Sequence, residues 1–327
     1  MKKRLLPALM ALAMLIPSLS FAEGFENSKD DIIYGVALSE DEMNIVDKKV
    51  GADRKESNVS YVDGSDLEKY LGYGAPDSNM ISSVFVKRNN KKGVAVEIVT
   101  KDNITEITEG QYANAAITAG ITSADILVAS PRPVTGESAL VGVYKSEELR
   151  GNNLDSDRTK LAQEELETVS DISNENEGKD NFDTEKLDTV VIEVKKKLAD
   201  YKEETGETAS SDQIAIYIKD ALNNVNMGDI LSNNNIQVLV NYFESYQNTS
   251  AIDSAEVKEN LTKLAGDITD KASKFYNDNK ESIDQVAQEA KDSGLWEKIV
   301  EFFRSIFDSI TEAFSNSSED TNATEGQ

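Results

Sequence analysis

The feature that most constrains the fold is a change in hydrophobic spacing near the middle of the 327-residue chain. Before about residue 150, short β-branched runs at 32–38, 81–87 and 93–99 alternate with helix signals. From about residue 155 onward, apolar residues recur every three or four positions, as on one face of an α-helix. We therefore predict an α+β sandwich in the N-terminal half, followed by an all-α helical region.

The N-terminal signals come in the order βαβαββαβα, which predicts a mixed sheet with helices packed on it. The strands at 81–87 and 93–99 are separated only by a short turn rich in Asn, Lys and Gly, which predicts an antiparallel hairpin. After a last strand, Thr135 is interpreted as the residue that opens a helix running to about Arg150.

The second half carries at least four amphipathic faces, at residues 187–201, 214–225, 236–246 and 257–275. Polar breakers rich in Asn, Ser and Gly separate them. The pattern leaves open whether these helices form a bundle or an extended arm. Their modest apolar content indicates loose packing.

The N-terminus has the pattern of a secretory signal peptide. Lys2, Lys3 and Arg4 precede an apolar run at 5–16, which is too short to span a bilayer, and then the small-residue site ending at Ala22. We expect a secreted protein, extracellular or associated with the cell envelope; the alternative is an uncleaved anchor. No later stretch predicts a transmembrane span in the mature chain.

These boundaries give a plan for the whole chain. Residues 1–22 are the signal peptide, 23–150 the α+β domain, 151–294 the helical region, 295–314 an amphipathic C-terminal helix and 315–327 a disordered tail. The change in spacing near residue 151 leads us to expect that residues 23–150 fold on their own.

Charge and composition exclude several functions. The chain carries a net charge of −26, concentrated in residues 151–327 (38 acidic and 17 basic residues), so we expect no nucleic-acid partner. The acidity is typical of a solvated surface; attraction of cations or basic partners is the alternative.

Without His or Cys, imidazole and thiol catalysis are excluded, and we predict neither a cofactor nor a metal site. The pairs Asp63/Asp66 and Asp155/Asp157 fit turns and helix caps, with calcium binding as the alternative.

Several strings resemble a known family. They are Ile81–Val84, Asn103–Thr105, Gln111–Gly120, Ala129–Leu140 and Gly142–Lys145. Together they resemble the YpuA-like family of exported Gram-positive bacterial proteins, a domain of unknown function. The resemblance covers most of residues 30–170. It implies export and a shared fold, but it brings no reaction, ligand or catalytic residue.

The turn between the last strand and helix is the candidate ligand site. Its residues are Ser130, Arg132, Thr135, Gly136, Glu137 and Ser138. Backbone N–H groups at the start of a helix bind anions, and Arg132 would add a positive charge. The alternative is architectural, with Thr135 as a simple N-cap. A third reading, Ser138 as a nucleophile with Lys145 as its base, puts the two groups about two helical turns apart, too far for a hydrogen bond.

The C-terminal helix carries an apolar face that includes Trp296, Phe303 and Phe307. Three readings stay open: it packs on its own protein, it contacts a protein partner or second copy, or it makes weak membrane contact.

No catalytic residue is identified in the sequence. We therefore predict a non-enzymatic binding or interaction module; the alternative is a carboxylate-dependent envelope hydrolase or transferase, with or without calcium.

Overall fold

The computed structural model describes residues 26, 28–87 and 93–267. The first half contains five strands and four α-helices. They are β1 (Asp31–Gly35), α1 (Glu40–Val50), β2 (Asn58–Val62), α2 (Gly64–Leu71), β3 (Ser83–Lys87), β4 (Gly93–Ile98), α3 (Glu109–Ala119), β5 (Ser123–Ala129) and α4 (Glu137–Leu149). Single 3₁₀ turns at Asp77–Asn79 and Lys101–Asn103 lie before β3 and α3.

The strands form one mixed sheet in the order β2-β1-β3-β5-β4. The pairs β1–β2 and β4–β5 are parallel, whereas β3 is antiparallel to both β1 and β5. The mixed sheet is confirmed, but the predicted hairpin of β3 and β4 is wrong, because β5 lies between them. The reason is burial: β5 is apolar at successive positions and suits a central place, whereas β4 exposes Ala95 and Glu97 and suits an edge.

Helices cover both faces of the sheet. On one face, α1 buries Met43, Val46 and Val50 in a cluster with residues of β1, β3 and β5, and its start is a capping box of Ser39 and Glu42. On the other face lie α3 and α4, whose buried side chains share one large apolar cluster with the strands. The sheet is therefore the middle of three layers.

The second half is a packed helical bundle. It consists of α5 (Ser156–Asn176), α6 (Thr184–Thr205), α7 (Ser211–Asn224), α8 (Asn233–Gln247) and a further helical segment at residues 255–267. Leu187, Leu239 and Phe243 are fully buried in its core. The predicted helical region is confirmed as a bundle, and the expectation of loose packing is wrong.

The two halves are in contact. Helices α5 and α6 pack against α3, and Leu166, Ile192 and Leu261 belong to the same apolar cluster as the sheet residues. The domain boundary near residue 151 stays a prediction, since the packing does not break there.

Candidate functional site

The turn between β5 and α4 is held in a shape that only glycine accepts. Val134 pairs with Ile104 in a parallel bridge, and its N–H donates to the Asn103 carbonyl (2.9 Å). The chain must then turn sharply at Gly136, which has φ +118° and is the N-cap of α4. The prediction that Thr135 is the N-cap and first residue of this helix is wrong: α4 begins at Glu137, and Thr135 is exposed.

The capping role falls instead to Ser82, which precedes β3. Its hydroxyl accepts the Ala139 N–H (3.0 Å) and donates to the Gly136 carbonyl (3.0 Å). Ser138 donates from Oγ to the Ser82 carbonyl (3.0 Å). Since Ser82 is more than fifty residues away in sequence, no capping pattern could reveal it. The one sequence feature that pointed to Ser82 was its position in the segment Ile81–Val84, which is among those that resemble the family.

Ser130 and Arg132, at the start of the turn, also have partners within the protein. Ser130 donates from Oγ to the Arg132 carbonyl (2.6 Å) and from N–H to Thr100 Oγ1 (2.8 Å). The Arg132 guanidinium donates from Nε to Glu42 Oε1 on α1 (3.0 Å). Hydrogen bonds from Ser39, followed by that from Arg132, lower the pKa of Glu42. Arg132 therefore links the turn to α1 and stays half exposed.

Ser138 and Lys145 have different partners. The Ser138 hydroxyl is buried against Ser82, while Lys145 Nζ donates to Asp66 Oδ2 on α2 (2.5 Å). Glu137 hydrogen-bonds to Tyr73, and burial together with that contact raises the pKa of the Tyr73 hydroxyl. These contacts favour the architectural reading of residues 130–138; anion binding at this turn stays a prediction.

The acid pairs occupy cap positions. Asp63 caps α2, accepting N–H groups from Ser65 (2.9 Å) and Asp66 (3.1 Å), and Asp66 accepts the Asp63 N–H in return. The hydrogen bond from the Ser65 hydroxyl is the main cause of the lowered pKa of Asp63. Asp155 caps α5 by accepting the Asp157 N–H (2.9 Å). Across the described residues, no group of three or more acids is placed to hold a metal ion.

A buried ion pair lies within the helical half and also bonds to α3 of the first half; the sequence patterns did not predict it. Lys195 on α6 is fully buried; its Nζ donates to Asn114 Oδ1 (2.9 Å) and Thr118 Oγ1 (2.7 Å) on α3, and to Glu165 on α5. The Tyr242 hydroxyl also donates to Glu165 (2.7 Å). Burial lowers the pKa of the Lys195 ammonium, and Glu165 opposes that shift.

A sequence signal for this pair did exist. Lys195 follows Val191 by four residues and precedes Leu198 by three, so it lies on the buried face of α6. A lysine on an apolar helical face requires a buried partner, but nothing in the sequence says which acid provides it. Since the pair is enclosed, it holds helices together and does not face a substrate.

The edge strand β2 is the most open feature of the sheet. The Asn58 N–H donates to the Asp30 carbonyl and Val62 accepts the Val36 N–H, so the even-numbered residues of β2 face β1. Because backbone groups alternate along a strand, those of Val59 and Tyr61 point away from the sheet. Their side chains are also exposed, Val59 by 36% and Tyr61 by 44%.

The C-terminal residues Trp296, Phe303 and Phe307 lie outside the described residues, so their prediction stays open. Within the part of the chain that the structure describes, every helix is too short or too polar to cross a membrane.

The fold thus defines a class of protein: a mixed five-stranded α/β sheet followed by, and packed against, a helical bundle. The family model described as a protein of unknown function (DUF1002) matches residues 34–264, and the chain belongs to this family. It is also 28% identical over 319 residues to the uncharacterized protein YpuA of Bacillus subtilis strain 168, covering 94% of this chain and 97% of that protein. No solved structure matches the chain.

The family resemblance drawn from the sequence is therefore confirmed. The match reaches further than residues 30–170 and includes α5 to α8. The helical half is accordingly part of what the family shares.

Proposed function

We propose that the protein is an exported, non-enzymatic binding protein that uses the β2 edge of its sheet as a contact surface. The observation that carries this proposal is the pair Val59 and Tyr61: their outward backbone groups have no partner among the described residues, and their side chains are exposed at the same positions. Edge strands of this kind are templates for strand pairing with another chain.

Two further observations support the proposal. The N-terminal charged and apolar segments have the pattern of a cleaved export signal. Arg132, Ser138 and the acids at 63, 66 and 155 are already engaged in hydrogen bonds, helix caps and ion pairs, which disfavours the carboxylate-dependent hydrolase. Contact with another molecule through β2 requires none of them.

Export is tested by fractionating cells into medium, envelope and cytoplasm and sequencing the N-terminus of the product. The expected mature protein begins at Glu23 and lies outside the cytoplasmic membrane. A product that retains Met1 and stays in the cytoplasm would contradict this part of the proposal.

The contact surface is tested by placing a photo-crosslinking amino acid at position 61 in cells. The matched control is position 45, since Ile45 is equally exposed (45%) but lies on the outer side of α1. Covalent adducts that form from position 61 and are absent from position 45 would support the β2 edge. The same adducts from both positions, or none from position 61, would refute it.

A further inference from the structure

We propose that β2 pairs with β2 of a second copy, so that two five-stranded sheets join into one sheet of ten strands. This inference uses the same β2 edge as the proposed function and in that respect rests on it. It adds that the molecule bound at this edge is a second copy of the chain, and the experiments below distinguish failure of this inference from failure of the proposed function.

The first argument is that β2 is complementary to itself. Residues 59 and 61 are the two positions in the strand whose backbone groups point outward. In an antiparallel arrangement about a two-fold axis at Ser60, Val59 of each copy faces Tyr61 of the other. Each such pair exchanges two backbone hydrogen bonds, making four in all. An isologous interface requires this match of a surface with itself.

The side chains fit the same register. Val59 and Tyr61 lie on the α1 face of the sheet, where the Tyr61 ring contacts the Tyr34 ring at 5.9 Å between centroids. A two-fold axis perpendicular to the sheet keeps that face on the same side in both copies. Each valine then meets a tyrosine across the junction, and aromatic and β-branched residues are a favourable cross-strand pair.

The second argument is electrostatic. Two copies of a chain with net charge −26 repel one another over most of their surface. Residues 57–62 (Ser-Asn-Val-Ser-Tyr-Val) contain no charge, no proline and no glycine, the usual guards of an edge strand. The opposite edge is guarded, because β4 exposes Glu97 and the Glu109 carboxylate accepts the Ile98 N–H (3.0 Å).

The placement of the acidic half favours the same edge. Most contacts of α5 and α6 with the first half are to α3, which packs under β4 at the far side of the sheet from β2, although α5 also contacts α2. Contact through β2 therefore keeps the most negative parts of the two copies apart, which reduces their repulsion. A single strand pair buries little area, so we expect a reversible dimer whose population depends on concentration.

The mass of the protein in solution tests this inference. The chain from residue 23 to 327 is measured by sedimentation velocity over a wide concentration range, with Tyr61→Lys and the control Ile45→Lys. We expect wild type and Ile45→Lys to shift from monomer to dimer, and Tyr61→Lys to stay monomeric with an unchanged circular dichroism spectrum. A dimer that persists in Tyr61→Lys would overturn the β2 interface.

A disulfide tests the register itself, in a protein without native cysteine. Two Ser60 residues would form a non-hydrogen-bonded antiparallel pair with Cα atoms about 4.5 Å apart, within the ~4.4–6.8 Å range of disulfides. Ser60→Cys should give a covalent dimer under mild oxidation, and Ile45→Cys at the same concentration should not. Absence of the Ser60→Cys dimer, or equal cross-linking of both variants, would overturn the proposal.

The two proposals fail differently. If position 61 cross-links to another protein while the purified chain is monomeric, the second copy is the wrong occupant and the β2 contact surface stands. If position 61 gives no adduct in cells and the chain is monomeric, both fail.

Discussion

Replacing Lys195 by Met should destabilise the protein severely, because it breaks the buried Lys195–Glu165 ion pair of the helical half and the hydrogen bonds of Lys195 to α3 in the first half. The ammonium is fully buried and donates to Asn114, Thr118 and Glu165. Methionine keeps the aliphatic stem but has no donor. Among the described residues, Glu165 would then keep the hydroxyls of Tyr242 and Thr118 as hydrogen-bond donors for its buried negative charge.

The expected loss is about 3–5 kcal/mol, the usual cost of removing one partner of a buried ion pair. That is a large share of a total unfolding free energy of roughly 5–15 kcal/mol. The control is Lys202→Met, which removes a partly exposed ion pair with Asp253. Such a pair contributes about 0.2–1 kcal/mol.

Urea denaturation followed by circular dichroism measures both variants. The double variant Lys195→Met/Glu165→Leu should be more stable than Lys195→Met alone, because replacing both partners removes the uncompensated charge. A loss below about 1 kcal/mol in Lys195→Met, or a double variant that is no more stable than Lys195→Met, would refute the reasoning.

Four further predictions concern single positions and the N-terminal half. Thr135→Ala should change stability by less than about 0.5 kcal/mol since its side chain is exposed and does not cap α4. Gly136→Ala should cost about 3 kcal/mol or more by thermal unfolding, because its φ is +118° and a Cβ would lie 2.4 Å from the Tyr112 hydroxyl. Burial raises the pKa of Asp188 well above its ordinary value. Between those two pKa values the native state keeps a proton that the unfolded state loses, so stability falls as pH rises. Asp188→Asn should remove that fall, and urea titrations over a pH series that leave the slope unchanged would contradict it. The independent folding of residues 23–150 stays a prediction: this fragment should show a cooperative thermal transition, and its absence would show that the helices sharing the sheet's apolar cluster complete the core.

Much of the local structure could be predicted because its causes are local. The capping box of Ser39 and Glu42 fixes where α1 begins, and Gly120 in the left-handed region ends α3 where the sequence indicates. The helical spacing that includes Leu187 and Leu198 identifies the buried face of α6, and both residues are fully buried.

The candidate site was predicted less well, because its partners are distant in sequence. Thr135 fits an N-cap by residue type, yet the bridge at Val134 places the turn one residue later. The cap of α4 comes from Ser82, on another element. Arg132 has the charge expected of an anion site, but Glu42 on α1 is its partner.

The sequence by itself determined the type of nearly every element, the change from mixed to helical structure, the family resemblance and the exclusion of His and Cys chemistry. Each depends on residue type, spacing or local capping, which act over a few residues. Only the tertiary structure decided that β5 separates β3 from β4, that Lys195 pairs with Glu165 and bonds to α3, and that among the described residues β2 is an edge strand with exposed side chains. Strand order and ion pairing depend on which buried surfaces meet across the whole chain, and hydrophobic burial is non-directional, so local patterns do not encode them.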